Sequence, residues 1–195
     1  MSALDAGEFA SSWSAEVLRV PPLIAPARQY VYPMAIAGEE DALARGALQA
    51  LVRPAAGGQY LATCALGFTD PSMPTGVYAC PNPDHLCAVA GGYAYLSDTA
   101  APQTCTLLPL KPVVAVEPLP SHGLLLFVGF HAVIAWGRDG MAWQTARLSW
   151  EGIRLGGVEG GALHGFGWDM ITDKEMAFAI DLRTGEHTGG GYSSA

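Results

Sequence analysis

Residues 124–190 constrain the fold more strongly than any other part of the chain. There, short apolar runs such as LLLFVGFHAVIAW and MAFAID alternate with breaks rich in glycine and aspartate. Apolar runs of this length, bounded by turn-forming residues, are typical of successive strands joined by tight turns. We therefore expect a sheet here against which the rest of the chain packs. Four of the five tryptophans lie in this stretch: Trp136, Trp143, Trp150 and Trp168.

Composition extends the β prediction to the whole chain. The 195 residues include 24 glycines and 14 prolines, which interrupt helices and concentrate in turns. The length suits one β domain. The sequence predicts a single β-rich, all-β domain over residues 1–195, with a loosely held arm at residues 1–14 that docks through Trp13. Its antiparallel meanders and hairpins would form a propeller-like or sandwich-like arrangement with at most one short helix.

Two N-terminal segments are less regular. Acidic residues at the start of segment 39–44 favour a short helical turn, followed by a strand over residues 47–53, a Gly-rich turn and a second strand. Segment 69–87 carries four prolines, so we expect neither a helix nor a central strand there. A rigid surface crossing is favoured for it over a functional loop.

Asp139-Gly140 predicts the register of one hairpin. This dipeptide favours a two-residue turn with positive φ at both positions. With those residues as the loop, Trp136 would lie directly opposite Trp143, and the two indoles would pair across the strands.

A resemblance to a known architecture lies near the C-terminus. The sequence FAIDLRTG at residues 178–185 resembles the end of a β-propeller blade, where an apolar strand closes through Asp-x-x-Thr-Gly into the next strand. Residues 91–98 (GGYAYLSD) are similar in a weaker way. The resemblance implies successive meanders, and no fixed period of 40 to 50 residues accompanies it.

Charge limits the classes of partner. The formal net charge is -8, and the ten lysines and arginines do not cluster, so we expect neither nucleic-acid binding nor attraction to an anionic membrane. The N-terminal sequence MSALDAGEFASSW lacks the basic start and apolar stretch of a secretion signal, which predicts a cytoplasmic location. A protein or small-molecule partner and a homo-oligomer are both compatible with these properties.

The four cysteines are Cys64, Cys80, Cys87 and Cys105, and no C-x-x-C pattern occurs. This excludes the common redox and zinc-knuckle motifs. We expect reduced, partly buried thiols; pairing of Cys80 with Cys87, or of Cys64 with Cys105, would indicate an oxidising compartment.

His164 is the main candidate for catalysis. It lies between glycines in ALHGFGWD, and Asp169 is the nearest following carboxylate, although a structural role is favoured for this histidine. The carboxylates of Asp169, Asp173 and Glu175 suggest calcium, but their spacing does not fit a calcium loop. We predict no metal and no cofactor.

The aromatic residues suggest a ligand surface. Trp143, Trp168, Tyr93 and Tyr95 are candidates to line a pocket for sugars or for a partner's apolar side chains. The alternative is that they fill the core, which is favoured for most of them.

Three classes of function follow from these features. The first is a β-rich binding or protein-interaction module without catalytic activity. The second is a small hydrolase-like or lyase-like enzyme using His164 with a nearby carboxylate. The third is a structural subunit that self-associates through exposed apolar strand edges.

Overall fold

The computed structural model describes residues 8–33 and 42–192, and within them the protein is all-β, which confirms the predicted fold class. Sixteen strands occur in these ranges, and the only helical element in them is the 3-10 turn Pro120–His122. None of the described residues belongs to a helix long and apolar enough to cross a membrane. The strands form four four-stranded sheets. Residues 9–33 and 42–113 belong to one compact unit, and residues 114–192 belong to a second.

The first unit contains two sheets. In the first sheet the order is β1-β3-β4-β2, and β2 runs parallel to β4 while the other pairs are antiparallel. Its strands are β1 (Trp13–Leu18), β2 (Arg28–Tyr32), β3 (Ala47–Pro54) and β4 (Tyr60–Ala65). The second sheet is an antiparallel meander of β5 (Gly76–Ala79), β6 (His85–Ala90), β7 (Tyr93–Asp98) and β8 (Cys105–Leu107).

The second unit consists of two further meanders, in which each strand pairs with the next one along the chain. The third sheet contains β9 (Ala115–Leu119), β10 (Leu124–Val128), β11 (Val133–Gly137) and β12 (Gly140–Gln144). The fourth sheet contains β13 (Ile153–Glu159), β14 (Ala162–Asp169), β15 (Lys174–Asp181) and β16 (His187–Gly189).

Each unit encloses its own apolar core. In the first, Val52 and Tyr60 from the first sheet share a cluster with Leu86 and Tyr95 from the second. In the second unit, strands of both sheets contribute to one cluster that includes Leu126, Trp143, Leu163 and Phe178. Two packed sheets around one core are a sandwich-like arrangement, one of the two that the sequence predicted.

The N-terminal predictions have different outcomes: residues 1–7 of the predicted arm lie outside the described ranges, and its last two residues, 13 and 14, are the start of β1. Trp13 docks through its indole N–H, which donates to the backbone oxygen of His85 at 3.0 Å. The predicted strand at residues 47–53 is β3, and the Gly-rich turn leads into β4. Of the predicted helical turn, residues 39–41 lie outside the described ranges, and residues 42–44 form a turn.

The proline-rich segment 69–87 differs from the prediction at its end. It contains the edge strand β5, which fits between Pro74 and Pro81 without including either. It also contains the first residues of β6, which is a central strand, so the exclusion of a central strand was wrong there. Prolines exclude ladder hydrogen bonds only at their own positions, and residues 85–87 follow the last of them.

The predicted pairing of Trp136 with Trp143 is wrong. The turn residues are Arg138 and Asp139, since Gly137 pairs with Gly140. The predicted turn requires a positive φ at Asp139, but within the described ranges the only non-glycine residue with a positive φ is Asp173. Trp136 pairs with Met141, and a register shift follows, so that Trp143 lies opposite Ala135. The two indoles therefore point to opposite faces of the third sheet.

The four cysteines are free thiols and lie in the first unit. Burial raises the pKa of both the Cys80 and the Cys105 thiols to about 12, and it raises the pKa of Cys64 and Cys87 well above the usual range. The reactive thiolate is therefore scarce at neutral pH.

We expect the native protein to react slowly with a thiol reagent at pH 8 and to release four equivalents of thiol once guanidinium unfolds it. Cys105, the one thiol that is not fully buried, should react first, so Cys105→Ser should remove the leading phase and one equivalent. Recovery of only two thiols without reductant would show that two of the cysteines are joined in a disulfide, which would contradict four free thiols.

Candidate functional site

The fourth sheet has one buried face and one face open to solvent. On β14, Leu163, Gly165 and Gly167 are buried, whereas His164, Phe166 and Trp168 are only half-buried. Side chains alternate along a strand, so the second set lies together on the outward side. The register adds neighbours on that side, since Trp168 pairs with Glu175, Phe166 with Ala177, and His164 with Ala179. We call these six residues, together with Arg154 of β13, the outer face.

Arg154 and Glu175 form a bridge across the outer face. Arg154 lies opposite Phe166 in the register, and its guanidinium carbon is 4.5 Å from the centre of the Phe166 ring. Its Nε donates to Glu175 Oε1 at 3.2 Å and its Nη2 to Oε2 at 2.6 Å. The guanidinium is thus held over the ring by a two-point contact with the carboxylate.

This bridge changes the titration of its partners without contributing much stability. The hydrogen bonds from Arg154 hold the pKa of the Glu175 carboxyl below its usual value, and the same contact raises the pKa of Arg154. Both side chains are about half exposed, so solvent screens the attraction. What the pair provides is a fixed array of donors and acceptors at the surface.

A cleft lies at each end of the outer face. The cleft near Trp168 has a volume of about 220 Å³, and it is lined by Glu151, Ile153, Arg154, Phe166, Trp168 and Glu175. The cleft near Ala162 has a volume of about 330 Å³, and it is lined by Ala162, Ala179, Asp181, Glu186, His187 and Thr188. Trp168 is six positions after Ala162 on β14, which corresponds to roughly 20 Å.

A hydrogen-bonded turn forms one wall of the second cleft. The Asp181 carboxylate accepts from the backbone N–H groups of Arg183 at 2.8 Å and Thr184 at 2.9 Å, which lowers the pKa of Asp181. The backbone N–H of Gly185 donates to the Asp181 carbonyl at 2.8 Å. This is the Asp-x-x-Thr-Gly sequence, and it closes the connection between β15 and β16. Its resemblance to a propeller blade end stays a prediction.

His164 lies in the middle of the outer face, but the structure does not bring Asp169 to it. Asp169 is five residues further along β14, roughly 17 Å away, and an odd separation places it on the opposite side. Its carboxylate instead accepts from Thr172 Oγ1 at 2.6 Å and the Ile171 N–H at 3.0 Å, which lowers its pKa.

The acidic residues considered for calcium have separate surroundings. Asp169 caps its own turn, Asp173 lies in that turn with a φ of 57°, and Glu175 pairs with Arg154. Within residues 8–33 and 42–192, no three His, Cys, Asp or Glu side chains are grouped so as to hold a metal ion.

Three of the four aromatic candidates are buried, and one lies on the outer face. The Trp143 indole N–H donates to the Leu182 carbonyl at 2.8 Å inside the core of the second unit. The Tyr95 hydroxyl donates to the Ala65 carbonyl at 2.8 Å, and Tyr93 lies in the core of the first unit beneath the Lys111 ammonium group. Trp168 alone borders a cleft of the outer face.

Sequence reasoning missed four residues of the outer face, namely Phe166, Arg154, Ala177 and Ala179. The alternation in ALHGFGWD contained a signal for Phe166. This residue is two positions from both His164 and Trp168, so the three side chains point to the same side of a strand. No comparable signal existed for Arg154. Its position depends on the pairing of β13 with β14, whose register shifts between Leu155 and Val158.

Comparison of this chain with protein-family models, with curated proteins and with solved structures gives no match.

Proposed function

We propose that the protein is a binding module without catalytic activity, and that its outer face binds an extended, hydroxyl-rich ligand of the saccharide class. The observation that carries the proposal is that one open sheet face has a cleft at each end, and that the aromatic stripe of His164, Phe166 and Trp168 runs along β14 and lines the smaller cleft with its last two rings. A chain-like ligand lying along β14 would occupy both clefts at once, which increases its affinity through multiple contacts.

The Arg154–Glu175 bridge suits hydroxyl groups in particular. A hydroxyl both donates and accepts hydrogen bonds, and neighbouring hydroxyls on a sugar ring present both capacities side by side. The guanidinium offers its remaining N–H donors beside the free lone pairs of the carboxylate. Since the two charges balance each other, the array favours a neutral ligand over an ionic one.

Trp168 supplies the apolar contact. The guanidinium of Arg154 already covers one side of Phe166, so Trp168 is the ring left to pack against a ligand in the smaller cleft. The apolar faces of sugar rings pack on indoles through the same dispersion and hydrophobic terms that operate in cores. Ala177 and Ala179 beside the stripe are small and leave the face open for a ligand ring.

The geometry favours binding over the enzyme alternative. The histidine and the carboxylate that would share a proton lie on opposite sides of β14, beyond the reach of a hydrogen bond. The groups that do converge on the outer face form a neutral, mutually hydrogen-bonded pair, which is suited to recognition.

The proposal is tested by screening the labelled protein on an array of neutral oligosaccharides and titrating the strongest hit by calorimetry. Trp168→Ala and Arg154→Ala should each weaken binding at least roughly tenfold, as expected when a central aromatic or arginine contact is lost. Arg138→Ala is the matched control, because this exposed arginine lies in the turn between β11 and β12, which belongs to the third sheet and not to the outer face.

Two results would contradict the proposal. One is the absence of binding to every neutral oligosaccharide on the array. The other is an equal affinity for the wild type and Trp168→Ala, with an unchanged melting temperature showing that the variant is folded.

A further inference from the structure

An amphipathic cleft of about 510 Å³ lies at one end of the first sheet. It is bordered by the end of β1, the start of β3 and the chain that follows β4, all of them in the first unit. Its volume falls within the roughly 300–1,000 Å³ that is typical of small-molecule sites. Most of the lining side chains are apolar, and one stretch of chain, residues 69–75, adds the polar ones: Thr69, Asp70 and Thr75. The cleft therefore combines an apolar lining with one polar segment.

The apolar lining is partly open to water. Leu48 is buried in the core of the first unit, whereas Val17 is 46% and Phe68 40% exposed. Leu18 and Leu66 are half-buried and line the same cleft. A ligand that covers these side chains removes apolar surface from water, which favours binding of an apolar group.

Asp70 supplies the charge of the cleft and is held in a fixed turn. Its Oδ1 accepts from the Ser72 N–H at 2.9 Å, and its carbonyl accepts from the Met73 N–H at 3.1 Å. The hydrogen bonds from Ser72 lower the pKa of Asp70, so the carboxylate is ionised at neutral pH. Among the described residues that line the cleft it is the only charged one. Within residues 8–33 and 42–192, no lysine, arginine or histidine forms an ion pair with it.

The segment that carries Asp70 is fastened at both ends. The backbone N–H groups of Gly67 and Phe68 donate to the carbonyls of Ala90 and Gly91 at 3.0 and 2.9 Å. Thr75 Oγ1 accepts from the Gly91 N–H at 2.9 Å. These contacts tie the segment to the turn between β6 and β7, so the cleft is formed before any ligand arrives. A preformed site loses little conformational entropy on binding.

We infer that this cleft binds a small amphipathic amine, with the apolar body of the ligand against Leu66 and Phe68 and its ammonium group beside Asp70. The fixed carboxylate without a described counter-ion complements a cation, and the exposed Phe68 ring adds a surface that attracts one. The formal net charge of -8 acts in the same direction, since it attracts cations and repels carboxylate and phosphate ligands. This site is independent of saccharide binding, because it lies in the first unit.

Two arginines are close to the cleft without lining it. Arg19 follows Leu18 in the chain, and the Nε of Arg45 donates to the Leu66 carbonyl at 3.2 Å. Their charges act on a bound ligand from farther away than Asp70, through water that screens them. The ammonium–carboxylate contact is itself exposed, so affinity for the amine should fall as salt rises, whereas affinity for an uncharged analogue should not.

Calorimetric titration of the full chain with three ligands that differ only in their polar group tests the inference. We expect 4-phenylbutylammonium to bind with a dissociation constant of about 1 mM or lower. 4-Phenylbutanol should bind roughly three- to tenfold more weakly, as expected when one exposed ion pair is lost, and 4-phenylbutanoate more weakly still. Amide chemical shifts in the presence of the amine should change most at Leu48, Leu66 and Phe68.

Asp70→Asn locates the charge effect. Asparagine keeps the side-chain oxygen that accepts from Ser72, so the turn is retained, and affinity for the amine should fall to that for the alcohol. Asp139→Asn is the matched control, because it removes the same charge from an exposed turn of the third sheet and should leave binding unchanged.

Four results would overturn the inference. The first is no binding of the amine up to about 20 mM, and the second is equal affinity for the amine and the alcohol. The third is an Asp70→Asn variant that binds the amine as tightly as the wild type. The fourth is an equal loss of affinity in Asp139→Asn, which would show attraction to the net charge alone.

Discussion

Replacing Trp143 by alanine should lower the free energy of unfolding by roughly 3–5 kcal/mol, the cost of removing a large buried aromatic side chain. Only 7% of this residue is exposed, and it belongs to the core cluster of the second unit. The substitution also leaves the Leu182 carbonyl without the indole N–H that it accepts at 2.8 Å. A Cβ added at Gly185 would lie 2.9 Å from Trp143, which shows how closely the backbone packs on this ring.

Urea denaturation followed by circular dichroism measures the effect. Met141→Ala is the matched control, because this residue lies on the same strand and is exposed, so it should change stability by less than about 0.5 kcal/mol. Trp143→Phe should fall between the two, since it keeps most of the apolar volume but loses the N–H donor. A loss below about 1 kcal/mol for Trp143→Ala would show that this face is not a packed core.

The second large effect is expected for Gly165→Ala, which should destabilise the protein by roughly 1–3 kcal/mol through overpacking. An added Cβ would lie 2.4 Å from Cζ of Phe178 and 2.7 Å from the backbone oxygen of Arg154. The Phe178 ring is itself buried in the core, and a strand backbone cannot retreat without breaking its ladder. Because Arg154 would move, the outer face should also lose affinity for its ligand.

Gly137→Ala is the control for this substitution. It lies in β11, and its added Cβ would have Ala142 and Gly140 as nearest neighbours at ordinary contact distances of 3.6 and 3.7 Å. Thermal unfolding of the two variants side by side gives the comparison. Equal melting temperatures would mean that the space beside Gly165 is larger than the structure shows.

The strands of the second unit were predictable because their signal is local. Apolar runs between glycine and aspartate breaks indicated β10, β11, β14 and β15 without knowledge of any partner strand. The sheet at residues 47–65 followed from the same pattern. Segment 69–87 was harder, since the proline rule acts position by position and the short strand β5 fits between two prolines.

The candidate site was predictable in part. His164 and Trp168 were each named as candidates, and the structure places both on the outer face of β14. Asp169 and Trp143 were candidates because of their residue type alone, which carries no information on direction. The Asp169 carboxylate accepts a hydrogen bond from the turn that follows it, and the Trp143 side chain lies in the core.

By itself, the sequence determined the class of the fold and the positions of most strands, because turn chemistry and period-two alternation act within a few residues. Only the tertiary structure decided which strands pair and in which register. A single extra residue in a strand reverses the direction of every side chain beyond it. The register shift beside Ala135 places Trp136 and Trp143 on opposite faces of the third sheet. A second shift lies in β13 between Leu155 and Val158, just beyond Arg154. Pairing depends on the summed fit of distant segments, which no local pattern encodes.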